Sequence, residues 1–293
     1  MSHKSLYING GVIASAAKQS GCSNDEIASS RQGAPRNDKS SARAMDLRSL
    51  LWGLCVIFLA CARGAWADPP ADEFLRGTIT VWGIPVGEGT AQIWHKTSFE
   101  GKPATRIVVH GQTGGIFALF YRVDDTMESL CDPQTFLPYL FRVRFEEGRY
   151  RRAQEYRFDQ KKGVIRGLHG SELAIGRPTY DPLSVLLFLR ASELRQGATM
   201  KGDISDGRKV YRMQAQIQKE LKDISGEEQA CWVIEPKMES VDLGGMLGKS
   251  KFKNFMAWLT ADKERVPVLA KGNLFFGALV VRLRKREVTK ALP

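Results

Sequence analysis

From residue 75 onward apolar and polar side chains alternate with a period of two, broken at short intervals by turn residues. Leu75, Gly77, Ile79 and Val81 share one face of the first segment, with Arg76, Thr78 and Thr80 on the other. Gly83-Ile84-Pro85 turns the chain, and Gly87, Gly89, Ala91 and Ile93 line one face of the next. Small residues in such a row let a sheet coil tightly or let another backbone approach. Further alternating runs cover residues 104–111, 141–145, 150–158, 199–204, 209–219, 229–235, 252–259 and 274–286. Glu147-Gly148 and Asp206-Gly207 supply hairpin turns. Short strands at close spacing predict a mainly β chain built as an antiparallel sheet, sandwich or barrel.

Two segments interrupt the rhythm. Asp181-Pro182 is a capping residue followed by proline at the first helical position, and Leu183, Val185, Leu186, Leu187, Phe188 and Leu189 follow. A helix apolar around its whole girth is buried, and Gly197 is placed to end it. A strongly curved antiparallel sheet or open barrel wrapped around that helix would supply the burial. The second interruption follows Gly114-Gly115 and consists of Ile116, Phe117, Ala118, Leu119 and Phe120. It either lines an apolar cavity or packs as ordinary core.

Before residue 68 the chain reads differently. Residues 1–44 are rich in Ser, Ala, Asn and Gly without either period, the composition of a segment too poor in apolar surface to order itself. Residues 12–20 and 26–31 look like a translated interspersed bacterial DNA repeat, so the expectation is a disordered, mis-assigned extension with Met45 as the true start. Residues 45–67 have the three parts of a secretory signal: basic Arg48, an apolar core over residues 50–60, and Ala65-Trp66-Ala67 as cleavage site. That core is too short for a spanning helix. The expected product is an exported, periplasmic domain of residues 68–293 without a transmembrane segment. Lipoprotein processing at Cys61, after Phe58-Leu59-Ala60, is the membrane-anchored alternative.

Charge and cysteines follow from that boundary. The whole chain carries +11, and losing 8 basic and 4 acidic residues with the first 67 leaves +7. Such a domain suits anionic lipid, glycan or phosphate, and it contains no nucleic-acid motif. Only Cys131 and Cys231 remain, and an even pair in an oxidising compartment predicts a disulfide, with two separately buried thiols as the alternative.

Little chemistry is visible. His95, His110 and His169 lack second ligands at metal spacing, and no cofactor motif is present. Ser184 reads as a helix cap and not a nucleophile, Gly114-Gly115 has no phosphate-cradle setting, and Glu146-Glu147 reads as a solvated hairpin tip. The expectation is a non-enzymatic protein. Arg282, Arg284 and Arg286 alternate along the last strand and Arg142 and Arg144 along an earlier one. These rows would either hold anionic head groups or form a solvated outer face that protects an edge.

Val81-Trp82-Gly83-Ile84-Pro85-Val86-Gly87-Glu88, then Phe117-Ala118-Leu119-Phe120-Tyr121-Arg122 and Asp181-Pro182-Leu183-Ser184, resemble the family called domain of unknown function 3108. Gly207-Arg208-Lys209-Val210-Tyr211, Trp258-Leu259-Thr260-Ala261-Asp262 and Val266-Pro267-Val268 continue the resemblance in order over most of the exported part. It implies a periplasmic antiparallel sheet, broadly lipoprotein-carrier-like, and brings no activity or catalytic residue. Residues 239–250, around Gly244-Gly245-Met246-Leu247, depart from the pattern as an enlarged loop.

Together these features favour binding of a lipid or other amphiphile, with Ile116, Phe117, Leu119 and Phe120 as apolar contacts and the five arginines as head-group contacts. An envelope adaptor that binds a protein through a sheet edge is the alternative, and an unrecognised hydrolase the third reading. A roomy apolar cavity favours the first; a helix packed tightly inside favours the second.

Overall fold

A computed structural model describes residues 5–7, 72–224, 226–241, 255–274 and 277–289. In chain order the elements are β1 (Ser5–Tyr7), β2 (Glu73–Val81), β3 (Ile84–Phe99), β4 (Lys102–Thr113), α1 (Phe117–Phe120), β5 (Asp124–Cys131), β6 (Pro138–Glu147) and β7 (Tyr150–Asp159). Then come β8 (Val164–Gly167), β9 (Glu172–Ala174), β10 (Thr179–Tyr180), α2 (Ser184–Ala191), β11 (Thr199–Ser205) and β12 (Val210–Ile224). The last four are β13 (Glu227–Val241), β14 (Met256–Thr260), β15 (Pro267–Leu274) and β16 (Gly277–Val288).

All strands belong to one sheet, and its order explains its shape. β2 to β9 form one antiparallel meander and β11 to β16 another, and β16 pairs antiparallel with β2 to join them. The far ends, β9 and β11, do not pair with each other, so the sheet curls without closing. On its outer side β11 is covered in parallel by β10 at Asp203 and Ile204 and by β1 at Thr199 to Lys201. β9, three residues long, ends the sheet on the other side.

The helix α2 lies inside the curl. Leu183 and Leu187 pack with Leu75, Ile93, Val109 and Phe141 from the first meander, while Val185 and Leu189 pack with Met200, Met213, Ile217 and Leu259 from the second. Helical spacing thus sends alternate apolar residues into two facing walls of one sheet. Asp181 starts the helix as its sequence indicates: Oδ1 accepts the amides of Leu183 (2.7 Å) and Ser184 (2.8 Å), and Ser184 Oγ accepts the amide of Asp181 (3.0 Å). The helix ends earlier than Gly197 because Ser192 turns extended.

Several expectations need correction. Cys131 and Cys231 are both free and buried in different clusters: Cys131 packs inside the curl, and Cys231 packs with Val233, Trp258 and Leu269 under a second cover. Cys131 is on β5 and Cys231 on β13, with β14, β15, β16, β2, β3 and β4 between them in the sheet, so no bridge forms. The second cover also includes Ile224, from the end of β12; Asp223 beside it accepts a hydrogen bond from Arg282 at 3.4 Å. Glu147 is not a solvated tip but a buried residue, because its parity matches Val143 and Phe145, which face inward. The row Arg282, Arg284 and Arg286 is also broken. A bulge between Leu283 and Lys285 shifts the register, so Arg286 lies opposite inward-facing Leu75 while Arg282 lies opposite Thr78. Of the expected enlarged loop, residues 239–241 belong to β13 and the rest lies outside the described residues, as does the segment at 45–67 read as a secretory signal.

Candidate functional site

The β2–β3 turn and the β4–β5 connection lie at the same end of the sheet, because successive antiparallel strands put alternate connections together. The Gly114 amide donates to the Val86 carbonyl at 3.0 Å and ties the two connections. Thr113 Oγ1 donates to the Tyr121 carbonyl (3.1 Å) and accepts the Val123 amide (2.9 Å), closing the base of the second. Between those anchors the short turn α1 holds its side chains out. Leu119 is 84 % exposed, Phe120 81 % and Ile116 64 %, with Trp82 at 68 % on the neighbouring turn. Ile84 and Tyr121 are also exposed. Core packing of Ile116 to Phe120 is therefore overturned: only Phe117 and Ala118 are half-buried. Exposed apolar side chains gathered at one place mark contact surfaces, whereas scattered ones carry no such meaning.

The predicted arginine rows are elsewhere, and four strands separate them from each other, since β2 to β5 lie between β16 and β6. Arg142 stands between Glu128 (3.2 Å) and Glu155 (2.8 Å), and Arg144 is paired with Glu146. Arg284 Nε donates to Thr78 Oγ1 at 3.2 Å, and Arg286 is held by Glu73 (2.7 Å) and Glu264. These side chains are engaged with their own sheet. The structure thus brings the apolar candidates together and leaves the arginines apart from them.

Two further groups were not singled out by sequence. Asp125 and Glu147 face the interior below the rim, and Asp125 Oδ1 accepts the Glu146 amide at 2.9 Å. Burial pushes the Asp125 carboxyl up to about 7, with Glu147, Asp124 and Glu146 adding repulsion. On the outer face His110 Nε2 meets Asp124 Oδ1 at 2.6 Å.

The other group surrounds a cavity of about 300 Å³ at the unclosed seam, lined by Arg152, Gln154, Tyr156 and Ser171 from one end of the sheet and Gly207 and Arg208 from the other. Its signal was present: Arg152, Gln154 and Tyr156 share the parity of inward-facing Phe158, and Arg208 follows the Asp206-Gly207 turn. Parity alone does not say which distant turn a strand will meet. Among the described residues no group of His, Cys, Asp and Glu could hold a metal ion, and no helix is long and apolar enough to cross a membrane.

The chain belongs to the family described as Protein of unknown function (DUF3108), whose model matches residues 76–284. No curated protein gives a match. Among solved structures it is similar to a β-barrel-like protein of domain of unknown function DUF1849 from Brucella abortus, at 9 % identity and a TM-score of 0.49, covering 76 % of this chain and 100 % of that one. A DUF1089 family protein from Pseudomonas aeruginosa is similar at 13 % identity and a TM-score of 0.25, covering 72 % of this chain and 94 % of that one.

Proposed function

We propose that this member of the DUF3108 family is an exported, non-enzymatic protein of the cell envelope that binds lipid or another amphiphile through its apolar rim. The observation that carries the reading is the exposure of Ile116, Leu119 and Phe120 beside Trp82 at one end of the sheet. Each such side chain, fully buried in an acyl layer, would contribute about 1.5–3 kcal/mol. With α2 packed inside, the contact moves from the interior, where a carrier cavity was expected, to the rim. Exposed Arg149 borders the patch and suits an acidic head group, whereas exposed Arg122 is paired with Asp124 at 3.5 Å. The signal-like segment at residues 45–67 supports the location.

The packed helix also favours a second reading, an adaptor for an envelope protein. Its expected contact, a sheet edge, is offered by β9 and by residues 218–224 of β12, which among the described residues pair only with β13.

Sedimentation of the exported domain with anionic phospholipid vesicles tests the first reading. The pair Leu119→Asp and Phe120→Asp should weaken vesicle binding by about tenfold or more while shifting stability by no more than about 0.5 kcal/mol, as exposed sites do. Absence of vesicle binding by the unaltered protein would remove the lipid reading and leave the adaptor.

A further inference from the structure

We propose that the seam cavity between β7 and the β11–β12 turn is an oxyanion site of the phosphate class, separate from the apolar rim and independent of what the rim binds.

The site is assembled from both ends of the unclosed sheet. β7 presents Arg152, Gln154 and Tyr156 on its concave face, two residues apart, opposite Phe145, Val143 and Phe141 of β6. The β11–β12 turn arrives from the other side. Gly207 sits flat on the Tyr156 ring, at φ +82°, where a Cβ atom would collide with the ring. That contact fixes the distance between the two ends and delivers Arg208 to the cavity. Arg152 Nη2 donates to Tyr156 Oη at 2.9 Å, so the first guanidinium is held in place by a neutral partner.

Among the residues that line the cavity two arginines stand against one acid. Neither Arg152 nor Arg208 is in an ion pair among the described residues, although Arg106, Arg142, Arg157, Arg190, Arg212 and Arg286 all are. Glu172 is the one acid lining the cavity, and it is taken by Arg166 at 2.7 Å from outside the lining. The nearby Asp206 accepts the backbone amides of Arg208 and Lys209 on Oδ1, both at 2.8 Å, and its charge also acts on Arg208 and Arg152. Two guanidinium forks thus line one space in which neither makes an ion pair of its own, with Asp206 as the acid whose charge reaches both. Hydroxyls of Tyr156 and Ser171 add donors to this wall, while Gln154 Nε2 donates to the Ala153 carbonyl at 2.8 Å. Planar forks of this kind match the paired oxygens of a phosphate or carboxylate, and two forks favour the doubly charged phosphate. A cavity of about 300 Å³ has room for a phosphoryl group with a small substituent, and its arginine-lined wall suits the charged group better than an acyl chain. The ligand is therefore free phosphate, a small phosphate ester or the head group of a phospholipid whose chains remain outside.

Isothermal titration of the exported domain with inorganic phosphate and with short-chain phosphatidic acid, each against Arg152→Gln and Arg208→Gln, tests the site. Binding of inorganic phosphate that each substitution weakens by about tenfold, with the double variant silent, supports it with a free phosphate as ligand. Binding confined to phosphatidic acid, and lost on the same substitutions, supports it with a lipid head group as ligand. No binding of either probe up to about 10 mM, or binding that the substitutions leave unchanged, overturns it. Thermal melts of the variants separate lost binding from lost fold. A variant that melts early is replaced by Arg208→Lys, which keeps the charge and should retain weaker phosphate binding while losing the paired geometry. The rim variants at Leu119 and Phe120 should bind inorganic phosphate as the unaltered protein does, so failure of the seam site and failure of the rim reading give different results.

Discussion

Asp125 sits on the inward face of β5 with Oδ1 accepting the Glu146 amide and Oδ2 without a hydrogen-bond partner among the described residues. Its carboxyl, pushed up to about 7 by burial and by the neighbouring acids, is raised above the roughly 4 expected of an unfolded chain. A raised carboxyl stabilises the fold below about pH 4 and loses that contribution as pH rises through about 7. At pH 8 the ionised group is a burden, so Asp125→Asn should stabilise by about 1–3 kcal/mol there and by almost nothing at pH 4. Denaturant unfolding of both proteins at the two pH values checks the difference. Neither Asp125 nor Glu147 announces itself in sequence, since an acid next to a turn has the same composition whether it faces water or the core. What decides is strand parity, and parity is fragile. A single bulge at Leu283 moves Arg286 to the face opposite Arg282, and nothing in the local residues marks the bulge. Cys131 and Cys231 looked pairable from their number and the expected compartment, which say nothing of their separate places in the sheet.

At the level of elements, those with a strong period or a strong turn were legible. The strands around Leu75, Phe141 and Tyr150, the Asp206-Gly207 hairpin and the helix after Asp181-Pro182 lie where alternation and capping put them. β5 was not read because acids occupy Asp124, Asp125 and Glu128 along it, and β8 to β10 are too short to establish any period. The helix start repays closer attention, because its cap is also a core contact. Asp181 is fully buried; Oδ2 accepts Ser129 Oγ at 2.6 Å from β5 while Oδ1 caps the helix. Burial pushes its carboxyl up to about 6, its hydrogen bonds opposing. Asp181→Ala removes the cap and leaves two amides and a hydroxyl unsatisfied in the interior, at a cost of about 2–4 kcal/mol. Ser129→Ala removes only the hydroxyl and should cost about 1 kcal/mol. Urea midpoints of the two variants rank them in that order if the cap, and not the cross-link to β5, is the larger part.

For the whole molecule, the curl depends on holding β2 and β16, where its two meanders join, to the helix inside it. Glu73 does this at the start of β2. Its Oε2 accepts Arg190 Nη1 at 2.9 Å from the last turn of α2, and its Oε1 accepts Arg190 Nη2 at 3.0 Å and Arg286 Nε at 2.7 Å from β16. Three elements far apart in sequence meet on one buried carboxylate. Burial alone would push that carboxyl up, but the hydrogen bonds and charges of Arg190 and Arg286 outweigh it and hold Glu73 below its ordinary value. The latch was invisible beforehand because it needs the bulge that turns Arg286 inward. Glu73→Gln leaves two guanidinium groups facing each other without a counter-charge, which should cost about 3–5 kcal/mol near neutral pH. The contribution of a lowered carboxyl is present above its unfolded value and is lost as pH falls through the folded one. The deficit of the variant should therefore shrink below about pH 4 as Glu73 itself takes up a proton in the unaltered protein. Hydrogen exchange locates the effect. If Glu73 is the latch, amides of β2 and β16 exchange faster in the variant and those of the β12–β13 hairpin change little. A uniform acceleration over all strands, with no narrowing at low pH, would mean that Glu73 is an ordinary core contact and that pairing of β2 with β16 alone closes the curl.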